Sequence, residues 1–309
     1  MGARLIDFKL CVLLNGAYLI RKKGERLPEE SSPLIARTKG LLKQFHLHAR
    51  KGLGQHFLID PTVLEASVSA AELTSDDTVV EVGPGLGVLT EELAKLAKQV
   101  IAIEIDSRIA SFLKKRFANN ANITILNADV LQVDMPGLIP GSEYKVTANL
   151  PYYAAAPIIR HFLESGVKPS RMVVMVQKEV AENIVAAPGR MGILSVSVQL
   201  YGNPSIVHYV PAECFYPAPK VDSAIVRIDV YSHPAVSIET KEFFRVVKAG
   251  FSAPRKQLRN SLAQGLSIKP VIAEEFLDGA GILSERRAET LSLKEWGDLC
   301  ESVNRGMAC

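Results

Sequence analysis

The segment Glu81-Val82-Gly83-Pro84-Gly85-Leu86-Gly87 and two later carboxylates, Glu104 and Asp129, have residue types and spacing that could do chemistry. Glycines let a backbone turn sharply and approach a ligand with no Cβ in the way. The pattern is E-x-G-x-G-x-G. A dinucleotide fingerprint, G-x-G-x-x-G/A, would require a small residue where Val88 stands, and no G-K-[ST] is present for a P-loop. Glu104 comes 21 residues after Gly83. From there an acid at the carboxyl edge of a sheet can hydrogen-bond a ribose diol. Asp129, in Asn127-Ala128-Asp129-Val130, could accept a bond from an adenine amino group. Taken singly, either acid serves equally well as a helix cap or a solvated charge. With the turn, they outline a nucleoside pocket lacking a phosphate site, the shape of an S-adenosylmethionine site.

A second constellation is Asn149-Leu150-Pro151-Tyr152. Proline fixes the turn and restricts Leu150 to an extended conformation. The Asn149 side-chain oxygen and a backbone carbonyl can then aim at one point beside an aromatic ring. The chemistry served is that of an aromatic amine. Adenine's exocyclic nitrogen is a poor nucleophile because its lone pair is delocalised into the ring. Two acceptors gripping its two hydrogens favour a pyramidal nitrogen and turn the lone pair toward a sulfonium methyl. Stacking on Tyr152 would hold the base out of its helix, as enzymes acting on bases require. Alone, the turn would read as a strand end with Tyr152 filling the core. Behind the glycine motif it reads as a site.

Positioning these residues takes a sheet. After Pro61, apolar runs alternate with amphipathic stretches. Strands are expected at residues 78–82, 100–105, 123–126, 144–148 and 172–176, with helices at 88–98, 107–117 and 157–164. Such alternation argues for a parallel sheet covered on both faces. A helix at 193–201 and strands at 205–210 and 224–230 complete seven strands, the last pair including an antiparallel member. From about Thr240 the pattern turns to four short helices, at 242–251, 256–264, 271–278 and 293–303. A domain boundary is placed near 235–240.

The 309 residues are 48% hydrophobic and 22% charged, which excludes a mainly disordered, collagenous or disulfide-scaffold protein. Cys11, Cys214, Cys300 and Cys309 form no C-x-x-C pair, and His46, His48, His161, His208 and His233 show no metal-ligand spacing. The net charge of +3 hides a gradient. Residues 1–60 carry eleven basic and five acidic side chains, residues 61–150 seven and twelve, and residues 243–270 six and none. Basic flanks around an acidic middle fit a chain that presents its ends to a polyanion. The apolar run at residues 10–20 is too short to span a bilayer and is followed by Arg21-Lys22-Lys23 rather than a small-residue cleavage site. Residues 1–32 read as an extension, either disordered or the product of a start codon placed too early.

Five segments stand in the order and spacing of the ribosomal RNA adenine dimethylases. They are Gly54-Gln55-His56-Phe57-Leu58-Ile59-Asp60, the glycine turn, Asn149-Leu150-Pro151-Tyr152, Phe215-Tyr216-Pro217-Ala218-Pro219-Lys220-Val221-Asp222-Ser223 and Arg255-Lys256-Gln257-Leu258-Arg259-Asn260-Ser261-Leu262. Over roughly residues 33–305 the chain resembles the KsgA type of that family. The resemblance implies a class I S-adenosylmethionine-dependent methyltransferase. Its α/β domain, a Rossmann-like seven-stranded sheet, would span 33–237, with a small all-helical C-terminal domain at 238–309. It further implies methyl transfer to two adjacent adenines in a 3′-terminal hairpin loop of small-subunit rRNA, on an immature 30S subunit. The agent would be a cytoplasmic monomer with no metal and no membrane contact.

Carried over residue by residue, the resemblance sets His56 and Leu58 beside the methionine end of the cofactor and Gly83 in the glycine turn. Glu104 would hold the ribose and Asp129 the adenine. Asn149 would stand between the cofactor and the target amine, touching both, with Leu150 also at the amine, and Phe215 would sandwich the flipped base against Tyr152. Arg50, Lys51, Arg255, Lys256 and Arg259 are candidate phosphate contacts, which set affinity and register but carry little sequence information. His56 departs from the asparagine common at its position. Two alternatives stay open: a large-subunit rRNA adenine methylase of the antibiotic-resistance type, and a ribosome-assembly factor acting mainly by binding. A DNA adenine methylase fits less well, because an acid usually opens its equivalent turn.

Overall fold

The computed structural model describes residues 11–14, 17–20, 33–45, 47–139 and 143–307. Seven largely apolar runs form one sheet: β1 (Thr78–Val82), β2 (Gln99–Glu104), β3 (Ile123–Asn127), β4 (Tyr144–Asn149), β5 (Arg171–Gln177), β6 (Gly202–Val210) and β7 (Ser223–Val230). Their spatial order is β3-β2-β1-β4-β5-β7-β6. β1 to β5 are parallel, whereas β7 is antiparallel to both β5 and β6. The order reverses between β1 and β4. In open α/β sheets a crevice opens at the carboxyl ends of the strands at that point.

Helices cover both faces. They are α1 (Pro33–Gln44), α2 (Pro61–Ala71), α3 (Val88–Leu96), α4 (Ser107–Arg116), α5 (Met135–Leu138), α6 (Ala155–Glu164), α7 (Lys178–Ile184) and α8 (Ile193–Gln199). The period-2 alternation of a strand sends Val79 to one face, against Leu93 of α3, and Val80 and Val82 to the other. Glu81 shares the face of Val79. Helix α2, absent from the expected elements, starts on an unread signal: Asp60 accepts the Thr62 and Val63 N–H bonds ahead of a proline in the first turn.

After β7 come α9 (Thr240–Gly250), α10 (Leu258–Leu266), α11 (Pro270–Gly279) and α12 (Leu293–Met307). The hydrophobic cluster on the Val80 face runs on without a break into Phe243, Leu262, Leu277 and Trp296. The change from strands to helices near 230–240 thus occurs within one continuous core.

The apolar run of the N-terminal extension is not structureless. Cys11–Leu14 pairs antiparallel with Ala17–Ile20. Between them in the sequence lies Asn15-Gly16, the dipeptide most favoured in two-residue hairpin loops. The rest of residues 1–32 lies outside the described residues. Among the described residues, no helix is long and apolar enough to cross a membrane.

Candidate active site

A cavity opens at the carboxyl ends of β1, β2 and β4. Its walls are residues 53–58, the glycine turn, Glu104-Ile105 and residues 148–153, with Ser67, Glu81 and Met175 also lining it. Gly83, Gly85 and Gly87 adopt φ of 68°, 56° and 76°, a region that strains any residue with a Cβ. A Cβ at Gly85 would stand 3.3 Å from the Phe57 ring, and one at Gly87 would stand 2.7 Å from the Phe117 ring. The turn is thus glycine-rich for packing as well as for approach.

Two carboxylates sit under this turn. Glu104 is 4% exposed; its Oε1 accepts the Asp106 N–H at 2.8 Å and its Oε2 the Gly85 N–H at 3.4 Å. Burial raises its pKa, against the pull of those N–H groups. Glu81, 2% exposed, lies opposite Thr147 in the β1–β4 ladder. Its Oε2 is buried without a hydrogen-bond partner. Burial pushes its pKa up to about 8; the Thr90 hydroxyl opposes this and the Glu104 charge adds to it. The spacing of the motif alone assigns Glu81 no role. A signal was present nonetheless, since a charge inside the otherwise apolar run TVVEV is costly to bury.

The other side of the cavity is built around Asn149. Its Nδ2 donates to the His56 carbonyl at 3.1 Å. A carbonyl only accepts, so the amide is oriented and Oδ1 remains to accept from a ligand. Leu150 is buried, its N–H donating to the Met175 carbonyl at 3.1 Å. The Tyr152 hydroxyl bonds Ser223 Oγ at 2.8 Å. The His56 ring lies nearly parallel to that of Tyr152, with centroids 5.9 Å apart and planes at 21°. His56 Nδ1 stands 2.7 Å from the Pro217 carbonyl.

The structure thus brings His56, Leu58, Gly83, Glu104, Asn149, Leu150 and Tyr152 to one cavity. Two expected members stand apart from it. Asp129 is not among the wall residues, and its Oδ1 caps the turn Val130–Gln132 at the Leu131 N–H. Phe215, expected against the base, lies beneath the surface beside the cavity. It pairs with Leu58 in a two-residue ladder, and strand alternation turns it inward while Tyr216 faces out. At 3% exposure it packs with Val63, Val173 and Ile225.

The basic candidates differ among themselves. The Arg50 guanidinium, 55% exposed, reaches Asp106 at 3.8 Å, and the Lys51 side chain lies outside the described residues. Arg255 is exposed, Lys256 Nζ approaches Gln264 at 3.4 Å, and Arg259 is tied to Glu274 at 3.2 Å. Arg259 is therefore also a strut between α10 and α11. Among the described residues, no group of three or more His, Cys, Asp or Glu could hold a metal ion.

Residues 46–305 match the model of the ribosomal RNA adenine dimethylase family. The chain belongs to that family. It is 50% identical over 270 residues to the ribosomal RNA small subunit methyltransferase A of Dehalococcoides mccartyi (strain BAV1), covering 86% of this chain and 92% of the relative. The protein of that name from Alkaliphilus metalliredigens is 42% identical over 276 residues, 87% and 96% of the two chains. Among solved structures, a dimethyladenosine transferase from Plasmodium falciparum aligns with a TM-score of 0.70 and 27% identity, covering 81% of this chain and 98% of that one. The 23S rRNA methyltransferase ErmE aligns at 0.65 and 29%, covering 80% and 99%. The seven-stranded sheet is thus a class I methyltransferase fold, and the enzyme is an S-adenosylmethionine-dependent rRNA adenine methyltransferase. The cavity fits that cofactor: it offers a cationic amino acid end an orphaned buried carboxylate oxygen at Glu81, and a nucleoside the Glu104 carboxylate beside the open glycine turn.

Proposed function

We propose that the chain dimethylates adenine amines in a hairpin loop of small-subunit rRNA, on an immature 30S particle. The observation that carries the reading is the hydrogen bond from Asn149 Nδ2 to the His56 carbonyl. It commits the amide's donor to the protein and leaves its acceptor to a target amine beside the Tyr152 ring. S-adenosylmethionine, when bound, supplies an electrophilic sulfonium methyl. Glu81 would accept from its ammonium group, giving up the proton that burial leaves on it in the free chain, and Glu104 would accept from its ribose hydroxyls. Asp129, outside the cavity walls, would meet the adenine with the carboxylate oxygen that its turn does not use. The Asn149 oxygen and the Leu150 carbonyl take the two amine hydrogens and direct the nitrogen lone pair. Tyr152, pinned through Ser223, holds the base by stacking.

Residues 33–237 would form the transfer unit, and residues 238–309 would extend the RNA surface through Arg255 and Lys256. The small-subunit target is supported by relatives of that name at 50% and 42% identity, against 29% for ErmE. Incubation with labelled cofactor and either immature small subunits or large-subunit RNA, followed by mass spectrometry, tests it. Dimethyladenosine confined to the small-subunit RNA is the expected result. Label in the large-subunit RNA alone would overturn it in favour of the ErmE-like reading.

A further inference from the structure

Tyr153 lines the cavity, yet at 63% exposure it is the most open phenylalanine, tyrosine or tryptophan among the described residues. Its neighbour Tyr152 is only partly exposed, with its hydroxyl held by Ser223 at 2.8 Å. A four-residue turn sends the two consecutive side chains apart. The Ala154 N–H closes it on the Pro151 carbonyl at 2.9 Å, and α6 begins at Ala155. Ile158, Ile159 and Phe162 fasten that helix to the core, so the turn is anchored by a packed element. Gly54, at φ 60°, backs one edge of the ring: a Cβ there would stand 3.8 Å from Tyr153 Cδ1 and Cε1. The segment that carries Gly54 is closed on Arg50, whose carbonyl accepts the Leu53 N–H at 3.1 Å and whose N–H donates to Gln55 Oε1 at 2.9 Å. The 55%-exposed Arg50 guanidinium is thus carried by the segment that backs the ring.

Extruding a base strips its neighbour in the strand of a stacking partner and bares that neighbour's face. We propose that Tyr153 takes this face, as a positioning residue that stacks the nucleobase flanking the extruded adenine. The inference rests on the adenine target proposed above. Consecutive tyrosines would then hold consecutive nucleotides, one inside the cavity beside Tyr152 and one on its lip against Tyr153. An open ring and a cation on adjoining segments are the parts from which single-strand sites are built. Every base has a π-face, so such a platform fixes register and keeps the strand parted without selecting sequence. Its contribution falls on RNA binding rather than on the transfer step.

The test uses the full-length enzyme with immature small subunits for kinetics and a small-subunit hairpin RNA for binding. The hairpin is either intact or abasic at the nucleotide 5′ or 3′ of the target adenine. Tyr153→Ala should raise the KM for the subunits about tenfold, the scale of one base–aromatic stack, with kcat and calorimetric cofactor affinity near the parent's. Tyr153→Phe should behave as the parent, because it keeps the ring. An abasic nucleotide on one side should weaken hairpin binding by the parent about tenfold. It should cost Tyr153→Ala nothing further, since the ring that met the missing base is already gone. The platform is overturned if Tyr153→Ala keeps the parental KM, or if Tyr153→Phe behaves like Tyr153→Ala. It is equally overturned if, on both sides, the abasic penalty is the same for the parent and Tyr153→Ala. Loss of cofactor affinity or of Tm in place of the KM effect would make Tyr153 a cofactor contact or a scaffold residue, and the platform falls with it. A parental enzyme that methylates no adenine would instead remove the target reading on which the platform rests.

Discussion

Where the parallel strands begin, Glu72 bonds Arg171 and Arg227, Asp229 bonds the same two guanidinium groups, and Asp77 bonds Lys145 at 3.0 Å. Where they finish, Glu81 and Glu104 are buried under a glycine turn, and one Glu81 oxygen has no partner. The consequences are opposite. Arg227 and Arg171 hold the Glu72 carboxyl below its usual range. Burial alone would raise Asp77 and Asp229, but their hydrogen bonds outweigh it and both are lowered. Burial dominates at Glu81 and Glu104 and pushes both upward. One end of the sheet thus satisfies its charges within the chain, as a scaffold does. The other leaves carboxylates for a ligand to satisfy, at a cost in stability until it does.

The sharpest way to break this comparison is Asn149→Ala. Loss of an acceptor that orients the amine should cut kcat about 10²–10³-fold, with the calorimetric cofactor affinity nearly unchanged. A lowered Tm with full activity per folded molecule would make Asn149 scaffold instead. Glu104→Ala should weaken cofactor binding by about 1–3 kcal/mol, the scale of lost charged hydrogen bonds; unchanged affinity by calorimetry would remove Glu104 from the site.

At the opposite end, Arg171→Ala should lower unfolding stability by about 2 kcal/mol in urea titrations, with kcat per folded molecule intact. A comparable loss of cofactor affinity would contradict the division of labour between the two ends.

Glu81 tests the comparison through pH. Its folded-state pKa of about 8 lies above the ordinary 4.5, so the folded chain keeps a proton that the unfolded chain releases. Stability therefore falls as pH rises between those two values and is level outside them. Glu81→Gln should remove that slope, giving a Tm advantage over the parent that grows from pH 5 to pH 8. Parallel Tm curves would show that Glu81 ionises freely. The smallest effect concerns RNA. Removing Arg255 and Lys256 should lower the log–log salt slope of binding by about 0.7–0.9 for each phosphate they neutralise. Arg259→Ala should mainly loosen the α10–α11 packing, and a full slope decrement from it would make it a phosphate ligand as well.

Much of this molecule was legible because its signals are local. The strand at 78–82 and the start of α4 at Ser107 follow from periodicity and capping within a few residues. Glu104 was found because a strand and its following turn carry an acid to the crevice at a fixed chain distance. Helix α7 was missed because it follows β5 with no intervening loop, Gln177 ending the strand and capping the helix, so no turn residue marks its start.

By itself, the sequence determined the alternating strand–helix order, the glycine turn, the acid at the end of β2 and the Asn149–Tyr152 turn, since each rests on interactions between near neighbours in the chain. Tertiary structure alone decided which way the other groups face. Phe215 is turned into the core by pairing with Leu58, a residue more than a hundred positions away. His56 meets Tyr152, Asn149 and Pro217 only when three segments close on one point. Arg259 meets Glu274 only when α10 packs beside α11. Glu81 acquires its shifted proton affinity from burial, a property of everything packed around it. Contacts between distant segments, and the loss of water they bring, leave no mark in the local spacing of residues.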